Sequence, residues 1–169
     1  MNNITLISGE GKGKTTSAFG YLLTQINKGK NVVIVQFLKT GENCGECNFF
    51  RNKERTNFIF IGKTDFYVPN ERKNEYIELI KTGLSTLREV LKIEETDILL
   101  LDELCVALSY DLIKWEEIQQ FFAYVNDEII ITGRNAPLSI EEEANTLILV
   151  EEKKHPFTNG LKARKGIEY

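Results

Sequence analysis

The sequence predicts an α/β protein, with a mostly parallel sheet covered by helices on both faces. Three observations predict it. Short apolar runs recur without polar alternation, most plainly Val32-Val33-Ile34-Val35 and Ile98-Leu99-Leu100-Leu101. Such runs suit strands buried on both sides. Between them lie stretches whose apolar residues repeat at helical spacing. The first apolar run also opens into a glycine-rich loop and then a helix pattern, which places a site at the strands' C-terminal ends.

Each element has its own signal. Residues 3–7 read as the first strand. Ala18, Phe19, Leu22, Leu23 and Ile26 mark a helix over residues 17–26. Lys28-Gly29-Lys30-Asn31 stops it, with Gly29 in the C-terminal cap region. Residues 31–37 hold the second strand, and residues 39–54 read as a polar, turn-rich connection. Residues 57–61 are a third strand, and residues 62–70 a loop containing Phe66, Tyr67, Val68 and Pro69. Residues 71–93 predict a long helix whose Ile77, Ile80, Leu84, Leu87 and Leu91 pack on the sheet. Residues 97–101 form the most apolar strand and end in Asp102-Glu103. Residues 115–125 predict a helix, with Trp115 in a packing role. Residues 128–132 form a strand ending in Gly133-Arg134. Ser139 begins a short helix, with Glu142 completing a capping box. Residues 146–150 are the last strand, and residues 155–169 a basic, glycine-punctuated tail. No internal repeat, low-complexity segment or breaking linker interrupts the chain, so residues 1–169 are expected to form one domain.

Composition narrows the function classes. A chain of 169 residues can bury about 70% of its unfolded surface. The net charge of −4 comes from 21 basic and 25 acidic residues. That balance argues against a general nucleic-acid or membrane-surface binder. No run is long enough to cross a bilayer and no signal peptide opens the sequence, so cytoplasm is the default location. Three cysteines in such a chain do not predict a disulfide framework.

The chemistry centres on Ser8-Gly9-Glu10-Gly11-Lys12-Gly13-Lys14-Thr15-Thr16. Strand, glycine-rich loop and helix form the context of a phosphate-binding P-loop. Glycines let backbone N–H groups close around phosphate oxygens at a helix N-terminus. Lys14 brings an ammonium to the terminal phosphates, and Thr15 a hydroxyl to a Mg²⁺ that shares them. Ser8 replaces the first glycine of G-x-x-x-x-G-K-[ST], but Gly13-Lys14-Thr15 keeps the core of the motif. The bland alternative is a glycine-rich turn with a basic surface.

Asp102-Glu103 after a buried strand has the form of a Walker B site, which holds Mg²⁺ directly or through water. A helix N-cap is the other reading of these two residues. Glu103 either orients a water, as in a hydrolase, or joins the metal shell of a transferase, and spacing does not choose. Cys44 and Cys47 form one C-x-x-C. A closed zinc site needs four ligands, so two loop thiols are the favoured reading over zinc or redox work. His155 is read as a structural or substrate-contact residue. Arg134 either touches a phosphate or pairs with an acid.

These stretches resemble the P-loop type ATP:corrinoid adenosyltransferases. The resemblance is carried by the P-loop with Ala18-Phe19-Gly20, then Val35-Gln36-Phe37-Leu38-Lys39, Gly45-Glu46, Leu101-Asp102-Glu103-Leu104 and Tyr110-Asp111. Ile131-Thr132-Gly133-Arg134 and the ending Lys154-His155-Pro156-Phe157, Gly160, Lys162-Ala163, Gly166-Ile167-Glu168-Tyr169 are more specific. The resemblance implies a RecA-type P-loop fold and a homodimer. It implies transfer of the adenosyl group of ATP to a reduced Co(I) corrinoid, with release of triphosphate, Mg²⁺ as cofactor and a flavoprotein as reductant. By the same resemblance, Gly9, Glu10, Gly11, Lys12, Gly13, Lys14, Thr15, Thr16 and Arg134 bind nucleotide. Phe66 and Tyr67 face the corrinoid. Thr15, Asp102 and Glu103 are metal-side residues, and Lys14 and Glu103 are catalytic. The chain departs from the family pattern at Thr24, where an arginine gives a phosphate-side charge, at Val68 in place of a tryptophan, and at Asn145 in place of an aspartate. The alternatives are a P-loop ATPase or small-molecule kinase, and a non-catalytic ATP- or corrinoid-binding protein.

Overall fold

The computed structural model describes residues 2–41, 45–63 and 72–153. Six strands form one sheet: β1 (Asn3–Ser8), β2 (Val32–Phe37), β3 (Thr56–Ile61), β4 (Thr96–Asp102), β5 (Val125–Thr132) and β6 (Thr146–Leu149). Their order is β3-β2-β4-β5-β1-β6, and every pairing is parallel. The helices are α1 (Lys14–Ile26), α2 (Gly45–Phe50), α3 (Lys73–Ile93), α4 (Leu104–Ser109), α5 (Trp115–Gln119) and α6 (Leu138–Glu143). This is an α/β architecture, as the alternation of patterns predicts, and it fits the RecA-like P-loop type that the resemblance implies.

The unbroken apolar strands are explained by the two cores. Alternate residues of one strand point to opposite faces. Val33, Val35 and Phe37 of β2 join Leu99 and Leu101 of β4 under α3, α4 and α5. Val32 and Ile34, with Ile98, Leu100 and Ile130, meet Ala18, Phe19 and Leu22 of α1 and Phe50 of α2. Losing a buried Leu at such a position costs about 2–5 kcal/mol. The long helix buries Tyr76, Ile80, Leu84, Leu87 and Leu91, so Tyr76 takes the place expected for Ile77, which is only partly buried.

Several local expectations change. The connection over residues 39–54 contains α2, whose Cys47 and Phe50 are buried. Cys47 is disulfide-bonded, not a loop thiol. The helix expected over residues 115–125 stops at Gln119 and gives way to a 3₁₀ turn, Phe122–Tyr124, before β5. Tertiary pairing of Val125 with Thr96 overrides helix periodicity there. Ser139 lies inside the first turn of α6, whose cap is Pro137 with no side-chain hydrogen bond, so there is no capping box. Trp115 packs as expected. It is buried, contacts Phe122 edge-on at 5.5 Å, and donates Nε1–H to Glu143 Oε1 at 3.1 Å.

Candidate active site

β1 ends at Ser8, and Gly13, at φ 107°, turns the loop into α1. The ammonium of Lys14 donates to Gly9 O and Gly11 O, both at 2.7 Å, drawing the loop into a ring. The outer wall of that ring is backbone. Gly11 N–H donates to Val150 O at 2.7 Å, and a Cβ at Gly11 would stand 2.8 Å from Val150 O and Glu151 C. Glycine here is thus demanded by close approach. Burial, and then the Arg134 guanidinium, hold the Lys14 pKa below that of an ordinary lysine.

The second half of the site is built on Asp102, which is fully buried at the end of β4. Its Oδ1 accepts from Thr15 Oγ1 at 2.8 Å and from Thr132 Oγ1 at 2.7 Å. Its Oδ2 accepts from Gln36 Nε2 and Lys39 Nζ, each at 2.8 Å. Because β4 lies between β2 and β5, neighbouring strand ends deliver Gln36 from one side and Thr132 from the other. Burial opposes the charge of Asp102, but Lys39 and the donors from Thr132 and Gln36 outweigh it and hold the carboxyl below the usual range. Lys39 is likewise disfavoured by burial, yet Asp102 and Glu103 raise its pKa.

Glu103 sits at φ 60°, in the left-handed region. Its N–H donates to Thr132 Oγ1 at 3.1 Å, and its carboxylate lies 3.8 Å from Lys39 Nζ. Burial pushes the Glu103 carboxyl up, and Asp102 beside it adds to the effect. Glu103 does occupy the N-cap position of α4, but no side-chain cap bond forms, so the cap reading does not account for this pair of acids.

The structure therefore brings the predicted loop, Thr15, Asp102 and Glu103 to one edge of the sheet. Thr16 Oγ1 donates to Glu46 Oε1 at 3.0 Å. Arg134 follows β5 and stands 3.7 Å from Glu10 Oε2 across the loop mouth, so among the described residues its partner is an acid. Glu10 and Lys12 lie in the loop between β1 and α1. Phe66 and Tyr67, with Cys44, Val68 and His155, lie outside the described residues.

At a rise of ~1.5 Å per residue Thr24 lies about 15 Å along α1 from Lys14, and its Oγ1 donates to Tyr21 O at 2.7 Å. Asn145 accepts Ile4 N–H at 2.8 Å through Oδ1, which ties the start of β6 to β1. Gln36, Lys39 and Thr132 were missed as site residues. Their signal was a polar side chain at the end of an otherwise apolar strand.

Oxygen donors alone converge here, which suits Mg²⁺, a cation that takes one or two carboxylates and shares substrate phosphates. Among the described residues no group of three or more His, Cys, Asp or Glu could hold a metal, so a zinc-type cage is not offered. Thr15, Asp102 and Glu103 could supply the protein oxygens.

Known proteins share this arrangement of sequence. The chain is 29% identical over 171 residues to a corrinoid adenosyltransferase of Sinorhizobium sp., covering 98% of this chain and 79% of the relative. It is 30% identical to a corrinoid adenosyltransferase of Pseudomonas aeruginosa, covering 96% and 81%. It is 32% identical over 168 residues to that of Escherichia coli strain K12, covering 98% and 85%. The profile described as ATP:corrinoid adenosyltransferase BtuR/CobO/CobP matches residues 1–169. A match that runs from the nucleotide loop through both acids to the last residue means that this chain belongs to the ATP:corrinoid adenosyltransferase family.

Proposed function

We propose that this chain transfers the 5′-deoxyadenosyl group of ATP to a reduced Co(I) corrinoid in adenosylcobalamin synthesis or salvage, with residues 1–169 acting as one domain. The observation that carries this reading is the family match over residues 1–169. A cobalt–carbon bond forms to C5′, the C5′–O bond breaks, and its electron pair leaves with triphosphate. Co(I) is itself the nucleophile, so no serine, cysteine or activated water is needed. The protein holds C5′ in line and stabilises the charge that grows on the leaving group. The loop Gly9, Glu10, Gly11, Lys12, Gly13 and Thr16 cradles the polyphosphate with Lys14. Arg134 exchanges Glu10 for a phosphate oxygen. Thr15, Asp102 and Glu103 would hold Mg²⁺, which neutralises the triphosphate when bound. Phe66 and Tyr67 face the corrinoid.

A cytoplasmic homodimer supplied by a flavoprotein reductant completes the proposal. The exposed Leu147, Ile148 and Leu149 of β6, at the edge of the sheet among the described residues, support self-association. No helix of the described residues is long and apolar enough to cross a membrane.

Incubation with ATP, Mg²⁺ and a chemically reduced corrinoid should yield a cobalt–carbon product and triphosphate together. The raised pKa of Glu103 favours a second reading, a P-loop ATPase with Glu103 orienting water. Orthophosphate released without corrinoid, and no alkylated cobalt, would establish that alternative instead.

A further inference from the structure

Lys39 has no role in the motif as read, yet the backbone takes trouble to place it. Leu38 adopts φ 59°, which is uncommon for a residue with a Cβ. Its N–H donates to Ile61 O at 2.6 Å. The following turn approaches so closely that a Cβ on Gly62 would stand 2.3 Å from Lys39 N. The result is an ammonium 2.8 Å from Asp102 Oδ2 and 3.8 Å from Glu103 Oε1. These are the two carboxylates that a divalent cation would need.

We propose that Lys39 is the resident cation of the metal position, neutralising Asp102 and Glu103 until a metal arrives with nucleotide. It rests on the reading of Thr15, Asp102 and Glu103 as metal-side residues. The physical case is one of charge and place. Two carboxylates with one ammonium between them leave a single negative charge among the three groups, and a divalent ion approaching them meets a like-charged neighbour. A metal that comes alone meets repulsion from the Lys39 ammonium. A metal that comes with ATP brings polyphosphate, which offers the displaced ammonium new acceptors. The side chain of Lys39 is 34% exposed while that of Asp102 is 0% exposed, so the lysine is the partner on the open side of the pair. Lys39 would thus make metal binding conditional on nucleotide, as a positioning residue.

The test is Mn²⁺ binding to the nucleotide-free protein, followed by the loss of the free-ion paramagnetic resonance signal. Lys39→Met should bind Mn²⁺ at least tenfold more tightly than wild type, and Lys39→Arg should stay near wild type. Mn²⁺ should raise the melting temperature of Lys39→Met but not of wild type, which separates a refilled charge site from a merely weakened fold. If Lys39→Met folds only with Mn²⁺ present, that too supports the proposal. Equal Mn²⁺ affinity in wild type and Lys39→Met would overturn it, and would leave adenosyl transfer untouched if turnover persists. Tight Mn²⁺ binding by Lys39→Met that survives Asp102→Asn would also overturn it, because the metal would then sit elsewhere.

Discussion

Asp102 is the residue on which the site turns, because four donors from three segments meet on its two oxygens. Lys14 is the corresponding residue of the loop. In the role proposed for it, Lys14 is a charged donor to phosphate, and replacing it by Ala removes about 1.5–3 kcal/mol. ATP affinity should therefore fall roughly tenfold to hundredfold, while circular dichroism reports an intact fold. Unchanged affinity in a folded Lys14→Ala protein would remove the P-loop reading. The pH dependence has a definite sign. The Lys14 pKa is lowered from 10.5, so its positive charge is present below that lowered value and is lost as pH rises through it. The alkaline limb of kcat/KM for ATP, which reports the free enzyme, should fall before an ordinary lysine titrates. A limb at or above the ordinary value would contradict this. At this scale the sequence showed Lys14, Thr15, Asp102 and Glu103 because each sits in a local motif. Gln36, Lys39 and Thr132 lie in stretches that carry the family resemblance, but no local spacing marks their chemistry. Their roles arise only because their strand ends flank Asp102.

At the scale of elements, the P-loop is held from outside by the chain that leaves β6. Gly11→Ala would drive a Cβ against backbone that has no rotamer to yield, since the nearest atoms are Glu151 C and O and Val150 O at 2.8 Å. Overpacking of this kind costs about 1–3 kcal/mol, and the Gly11–Val150 bond would open with it. Thermal melting should shift down, and ATP affinity should fall with it. Unchanged melting and affinity would show that the contact is dispensable. Five strands were legible to within one residue because each is a dense apolar run, while β5 begins three residues earlier than expected, at Val125. Short helices were less so. α2 is only six residues, and its burial depends on Phe50 meeting Phe19 at 5.1 Å, a contact between distant segments. The overestimate at residues 115–125 has the same origin, since β5 claims Val125 for the sheet.

For the whole molecule, the decisive fact is that β5 lies between β1 and β4. The loop after β1 and the acids after β4 therefore face each other across Thr132 and Gly133. Sequence patterning predicted parallel strands but not their order, because order is set by which helices cross which face, and apolar runs of equal quality do not distinguish neighbours. The opposite rim of the sheet carries a different kind of consequence. The only tryptophan is clamped there between Phe122 and Glu143, beside the points where β5 and β6 begin. Its fluorescence should redden when the protein melts and stay silent when nucleotide enters, so the molecule carries a built-in gauge of its own integrity that is blind to its ligands.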